Sequence, residues 1–327
     1  MSKTTRWGIM GTGSIAKSFA RGLKDTPKAE LIAVGSRNQE NADKFGDMFS
    51  VPVKCPSYQE LADFADIDAI YISTPHPFHK ENTIMCLQAG KPVLCEKPFA
   101  INSQEAATMV KTARDNGVFL MEAMWSRYLP AMQRILKWLD DGVIGEVRWI
   151  SADFGFRANF DPQSRLFNPE LGGGALLDVG IYVTSFASFV LGPHPNKIHA
   201  LATMGSTGVD EQNTLLLGYD NGSMAVLTSA VRTATPHEAR IVGTKGKIII
   251  QPPFYRAEKA TLTVDEHVEE IQLNINGNGY SYEAIEVGRC LNKGLLESSI
   301  MPLDETVAIM KILDDARAQW GLTYPTE

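Results

Sequence analysis

Trp7-Gly8-Ile9-Met10-Gly11-Thr12-Gly13-Ser14-Ile15-Ala16 is the stretch that decides the fold. Trp7 to Met10 reads as a strand. Ser14 to Leu23 reads as a helix, because Ile15, Phe19 and Leu23 recur at i, i+4 and i+8. Between them, Gly11-Thr12-Gly13-Ser14-Ile15-Ala16 fits G-x-G-x-x-A. Gly11 permits a tight turn, Gly13 lets backbone approach a pyrophosphate, and Ala16 permits close packing of helix on sheet. The helix N-terminus adds N–H donors and the positive end of its dipole. Gly11, Thr12, Gly13, Ser14 and Ile15 are therefore the candidate contacts to a dinucleotide; a plain tight turn is the alternative.

Downstream, strands and helices alternate. Strands are predicted at Glu30 to Gly35, Asp68 to Ser73, Pro92 to Glu96 and Val118 to Met124. Helices are predicted at Asn38 to Phe49, His79 to Gln88 and Asn102 to Asp115, the last with a capping box at Asn102 and Glu105. That alternation means βαβ units on a parallel sheet with right-handed crossovers. After about residue 125 the rhythm changes. Helices are predicted at Pro130 to Asp141, within Gly172 to Leu191, and near 280–294 and 302–320. Seven period-two runs lie between Glu146 and Val264, with hairpin signals at Asp220-Asn221-Gly222 and Gly243-Thr244-Lys245-Gly246. The fold class is α/β: a nucleotide-binding domain over residues 1–122, then an α+β domain over 123–327 built on a large, mainly antiparallel open sheet. Apolar residues on the outer face of that sheet predict contact between subunits.

Composition narrows the function. The chain has 327 residues, 44% apolar and 21% charged, as in globular proteins with full cores. A net charge of −7 and the lack of basic runs argue against nucleic acid or anionic membrane as partner. Cys55, Cys86, Cys95 and Cys290 stand far apart and read as reduced core thiols. The first residues are polar, no signal-type apolar region follows, and no run is read as long enough to span a bilayer. The expectation is a cytoplasmic protein. Isolated histidines without H-x-x-x-H spacing predict no catalytic metal.

The second strand bears on cofactor choice. Sites for NAD usually close it with an acid that holds the ribose 2′-OH. Here Gly35-Ser36-Arg37-Asn38 has none. The Ser36 hydroxyl and Arg37 guanidinium suit a 2′-phosphate, so NADP is favoured; a solvated turn that accepts NAD is the alternative. Thr74-Pro75-His76-Pro77-Phe78-His79 follows the third predicted strand. Its prolines stiffen a loop suited to the nicotinamide ribose, with Thr74, Pro75 and His79 as contacts. His79 as a cap of its own helix is the alternative.

Two further features carry chemistry. Glu96-Lys97-Pro98 puts a lysine beside a carboxylate at the carboxyl end of a buried strand, where an unpaired ammonium is costly. Ligands of open parallel sheets bind at that end. Gly172-Gly173-Gly174-Ala175-Leu176-Leu177-Asp178-Val179-Gly180-Ile181-Tyr182 sets Asp178 and Tyr182 four apart, on one face of a helix. Carbonyl reduction needs a hydride donor, a proton for the developing alkoxide and a cation to steady it. Tyr182 supplies the proton, Lys97 sets its proton affinity, and Asp178 binds a substrate hydroxyl. Trp125, Arg127 and Phe154 follow strand ends and are candidates for a substrate wall; structural packing is the alternative for each.

The glycine loop, Glu96-Lys97-Pro98 and the Gly-Gly-Gly-x-x-x-Asp-x-Gly-x-Tyr run together resemble the glucose–fructose oxidoreductase/inositol dehydrogenase/rhizopine-catabolism (Gfo/Idh/MocA) family, over nearly the whole chain. The resemblance implies a Rossmann domain with Glu96 and Lys97 at the cofactor, an α/β domain with an open sheet, and a dimer or tetramer. It also implies a cis peptide before Pro98, and substrate over Lys97 with Asp178 and Tyr182 beside it. Many members carry histidine where this chain has Tyr182. The tyrosine, with Glu122 to Tyr128 and Arg165 to Pro169, is similar to the sugar and dihydrodiol branch. The implied function is NADP-dependent hydride transfer at a carbinol or carbonyl carbon of a sugar, polyol or cyclic trans-diol. A non-catalytic NADP-binding sensor, or an enzyme that keeps its cofactor while cycling between two sugars, are the alternatives.

Overall fold

The structure is a computed structural model that describes residues 3–327. The chain forms two compact units. The first comprises residues up to Ala100, Gln104–Trp125 and Asn276–Thr306; the second comprises Ile101–Ser103, Ser126–Ile275 and Val307–Glu327. The chain thus passes between them repeatedly, where one passage at 122–123 was expected.

In the first unit, six strands form a parallel sheet in the order β3-β2-β1-β4-β5-β6. They are β1 Thr5–Met10, β2 Ala29–Gly35, β3 Val53–Cys55, β4 Ala69–Ile72, β5 Val93–Glu96 and β6 Leu120–Ala123. The connecting helices are α1 Ser14–Lys24, α2 Gln39–Phe49, α3 Tyr58–Asp63, α4 His79–Gln88 and α5 Ser103–Asn116. This is the doubly wound dinucleotide-binding order, with its switch point between β1 and β4. Trp7, Ile9 and Met10 are fully buried. Phe19 of α1 meets the Trp7 ring edge-on at 5.2 Å and stacks on Tyr71 of β4 at 3.8 Å, so the apolar stripe of α1 locks it over the sheet. The sequence reading left out β3 and α3.

The second unit holds α6 Pro130–Asp140, β7 Val147–Gly155, α7 Ile181–Leu191 and seven further strands. These are β8 Lys197–Met204, β9 Asp210–Gly218, β10 Met224–Ala230, β11 Ala239–Gly243, β12 Gly246–Ile250, β13 Lys259–Val264 and β14 His267–Gln272. The helix α8, Ser281–Asn292, returns to the first unit, and α9, Leu303–Trp320, follows. The eight strands run β14-β13-β12-β11-β7-β10-β9-β8, antiparallel except for the β7–β10 pair. The hairpins fall where expected, with Gly222 at φ +81° in the β9–β10 turn.

One run contradicts the sequence expectation. Pro169–Leu191 is long and apolar enough to cross a membrane. In the structure 83% of its most apolar window is buried, as in a core helix packed on a sheet. All four cysteines are buried and unpaired.

Candidate active site

In the first unit the glycine loop leaves β1 at Gly11, whose φ of +102° only glycine adopts freely. A Cβ there would lie 2.9 Å from Ser73 Oγ. Gly13 precedes α1 with extended backbone and nothing within 4 Å of a notional Cβ. No side chain caps that helix start, and no acid lies in its first turn. Its N–H groups and dipole are thus available to a phosphate at Thr12, Ser14 and Ile15. At the end of β2, Ser36 is buried and its N–H donates to Cys55 O at 3.1 Å, while Arg37 is exposed. These residues fit a dinucleotide, and no acid stands at residues 36–38 after β2.

Two buried assemblies support that loop. His79 is fully buried, with Nδ1 2.9 Å from Pro98 O and Nε2 2.8 Å from Thr74 O. Burial, helped by the Lys97 charge, lowers its pKa, so a neutral ring donates to one of the two carbonyls. His79 therefore pins the Thr74-Pro75 loop to the Lys97-Pro98 turn; the expected contact with a ribose is corrected, because no edge of the ring is exposed. Asn82 Nδ2 donates to Thr74 Oγ1 at 3.0 Å and fixes the same loop.

Glu96 closes β5, almost fully buried. Its Oε1 accepts from the Tyr71 hydroxyl, and its Oε2 accepts from Lys97 N at 3.1 Å. Glu283, on the first turn of α8, is fully buried and neither of its oxygens has a hydrogen-bond partner. Burial and then the Glu96 charge push its pKa well above the carboxylate range. Glu96 thus faces inward to Tyr71 and to the backbone of Lys97. The Lys97–Pro98 peptide is cis, as the resemblance implied, and Lys97 itself is half-buried. Trp125 packs on Tyr280 with ring centroids 5.1 Å apart.

In the second unit, Asp178 lies on a π turn, Leu176–Gly180, and Tyr182 on the first turn of α7. The helical face expected from an i, i+4 pair is therefore wound wider than an α-helix; such π turns recur at functional sites. Asp178 is 5% exposed, and Oδ1 accepts from Arg165 Nη1 at 2.6 Å. Tyr182 is 8% exposed and sits in an aromatic cluster. Phe154, at the carboxyl end of β7, lies 5.3 Å from the Tyr182 ring and stacks on Tyr255 at 3.9 Å with planes 2° apart. His237 lies 5.1 Å from Phe154. Phe154 is thus beside Tyr182.

Arg127 is not a wall residue. It is 2% exposed, its Nε and Nη2 donate to Ser185 Oγ and O at 2.9 and 2.8 Å, and it covers the Phe189 ring. It anchors α7 and leaves no edge for substrate. The sequence alone marks none of Arg165, His237 and Tyr255 individually as a site residue. Arg165 carried a signal, since a lone arginine shortly before a buried aspartate invites a pair. The positions of His237 and Tyr255 depend on strand pairing that the sequence does not reveal.

Residues 5–124 match the oxidoreductase family with an NAD-binding Rossmann fold, and residues 132–249 match the GFO/IDH/MocA C-terminal domain. The chain is 40% identical to trans-1,2-dihydrobenzene-1,2-diol dehydrogenase of Xenopus laevis, over 98% of this chain and 99% of that one. It is 36% identical to the Homo sapiens enzyme of the same name, over 98% of each. Among solved structures, a 3-ketoreductase from Actinomadura kijaniata in complex with NADP and TDP-benzene is similar. It is 25% identical, with TM-score 0.85, over 96% of this chain and 97% of that one. The fold is shared with an aldose-aldose oxidoreductase from Caulobacter crescentus, 24% identical, TM-score 0.88, over 98% and 99%. Family match, sheet order and glycine loop agree: this chain is an NAD(P)-dependent oxidoreductase and belongs to the Gfo/Idh/MocA family.

Proposed function

We propose that the protein uses NADP to interconvert a carbinol and a carbonyl on a sugar, polyol or cyclic trans-diol. The observation that carries this reading is the second unit's Tyr182, beside Phe154 and near the Arg165-paired Asp178, in a wall of flat aromatic rings. An aromatic wall suits the apolar face of a sugar or an unsaturated ring. Likeness to dihydrodiol dehydrogenases along the whole chain supports the diol end of that range.

When bound, the nicotinamide accepts or gives the hydride. Gly11, Thr12, Gly13, Ser14 and Ile15 would hold the phosphates of the dinucleotide, Thr74 and Pro75 would line the nicotinamide ribose, and Arg37 with Ser36 would hold the 2′-phosphate. Tyr182 moves the proton at the substrate oxygen. Lys97 carries the positive charge that steadies that oxygen as an alkoxide. Asp178, oriented by Arg165, accepts a hydrogen bond from a neighbouring hydroxyl. Glu96 orients Lys97 through its backbone N–H, and Trp125, packed beside Tyr280, stays a candidate for the substrate wall.

The test is NADP+ reduction across D-xylose, D-glucose, inositols and a trans-dihydrodiol. One substrate class should be turned over, and Lys97→Met should lower kcat by about a hundredfold or more while NADP(H) binding stays intact. Unchanged turnover in Lys97→Met would remove the lysine from the mechanism. Turnover of none of the panel, with NADP bound normally, would favour the sensor reading.

The protein is further proposed to form a homodimer or homotetramer through the outer face of the eight-stranded sheet. Leu201 is 81% exposed, and Met224 and Leu216 stand on adjoining strands. That is an apolar patch of the kind that subunits cover.

A further inference from the structure

Asp210 opens β9 and is fully buried. Its Oδ2 accepts from Leu176 N at 2.9 Å and from Asn213 Nδ2 at 2.7 Å. Asn213 Oδ1 in turn accepts from Ser229 Oγ at 2.9 Å. The other oxygen, Oδ1, has no hydrogen-bond partner. It occupies the space that a side chain on Gly174 would need: a Cβ there would lie 2.3 Å from it, and Gly174 has φ +117°. Alongside, the Tyr324 hydroxyl donates to Gly173 O at 2.7 Å. The glycine run is thus shaped around a carboxylate, and that carboxylate holds the first N–H of the π turn on which Asp178 sits.

A neutral asparagine or serine would satisfy one backbone N–H without a buried charge. The charge of Arg317 acts on Asp210, but its guanidinium is engaged with Asp314 and Glu327 at 2.8 Å. A half-satisfied buried carboxylate at this point asks for a role that a neutral group would not fill.

We propose that Asp210 is a positioning residue for the Asp178–Tyr182 pair: its ionised carboxylate grips Leu176 N–H, fixes the π turn, and so holds Tyr182 in its working position. This rests on the reading of Asp178 and Tyr182 given above. Burial pushes the Asp210 pKa up to about 7, against the pull of Asn213, the Leu176 N–H and Arg317. The ionisable groups facing it are Arg317 of α9 and Tyr324. Burial opposes the Arg317 charge, but the carboxylates of Glu327 and Asp314 hold its pKa above the ordinary value. Burial and Asp210 hold Tyr324 well above the phenol range. From the neighbouring strand β10 only Ser229, which does not ionise, reaches the network. Asp210 alone changes charge near neutrality, so its grip weakens as the pH falls.

The experiment compares wild type with Asp210→Asn, Asp210→Ala and Tyr182→Phe. It measures kcat and KM for NADP+ between about pH 6 and pH 9, and amide hydrogen exchange at Leu176. In wild type, kcat should fall about tenfold from pH 8 to pH 6. At pH 8, Asp210→Asn should turn over like wild type at pH 6 and show no ionisation near 7, with KM for NADP+ unchanged. Protection of the Leu176 amide should drop about tenfold or more in Asp210→Ala. An Asp210→Asn profile like wild type while Tyr182→Phe is inactive overturns the role of Asp210 alone. Unchanged Leu176 protection in Asp210→Ala does the same. Wild-type turnover in Tyr182→Phe overturns the reading of the site and the positioning role with it.

Discussion

Asp210→Asn should remove a pH dependence of stability, whatever the substrate. An aspartate whose pKa rises on folding binds its proton more tightly in the folded chain than in the unfolded one. Its contribution to stability is therefore greatest in acid and is lost as the pH rises toward the folded value. For Asp210 the rise is from 3.8 to about 7. Between pH 5 and pH 8.5 the folded chain carries nearly one extra proton over about two pH units, and at about 1.4 kcal/mol per unit this removes roughly 3 kcal/mol. That is a large share of the 5–15 kcal/mol typical of domains. Asparagine cannot ionise, so the variant lacks this loss. Urea unfolding followed by circular dichroism at the two pH values gives the answer directly. The variant-minus-wild-type difference should move in favour of the variant by roughly 3 kcal/mol on going to pH 8.5. Differences that agree at both pH values to within about 0.5 kcal/mol would refute the reasoning, because Asp210 would then ionise as freely folded as unfolded.

Gly11→Ala should raise KM for NADP+ by about tenfold or more, since φ +102° and the 2.9 Å approach to Ser73 Oγ leave no place for a Cβ; steady-state kinetics check it. Arg37→Ala should weaken NADP+ by about ten- to a hundredfold and leave NAD+ nearly unaffected, measured by cofactor titration. Glu283→Gln should change stability by less than about 1 kcal/mol at pH 7, because burial and Glu96 already hold the carboxyl protonated; a larger loss in thermal unfolding would show that the charge is used. Leu201→Asp should shift the species seen by light scattering toward monomer, given the 81% exposure of Leu201 on the sheet face.

Most of the strand and helix order could be read from the sequence, because periodicity survives wherever one face is buried. Helix α4, His79–Gln88, lies where the sequence placed it. The strands passed over were the short β3 and β14, the latter carrying Glu269 and Glu270 in a six-residue strand. The placing of Gly11, Glu96, Asp178 and Tyr182 could be read because each is local to a loop, a strand end or a helix start. His79 and Arg127 were misread for a common reason. A polar side chain's residue type says that it needs a partner, but Pro98 O and Ser185 are supplied by the tertiary fold. The π turn was hidden likewise: the acceptor that caps it, Asp210, lies 34 residues away.

The interleaving of the two units has a consequence for how the chain is made. Helix α8 packs on α1 and β2, Asn278 Nδ2 donates to Ser18 O at 2.7 Å, and Gly22 leaves room for Tyr280. Yet α8 begins at Ser281, whereas the last strand of its sheet ends at Ala123. At 5–20 residues per second, the ribosome delivers that covering helix roughly 10–30 s after the sheet is complete. During that interval the face of α1 around Gly22 stands uncovered. A nascent chain halted in the second unit is therefore a natural client for holding chaperones, and a fragment cut at residue 125 would be missing part of its own nucleotide-binding unit.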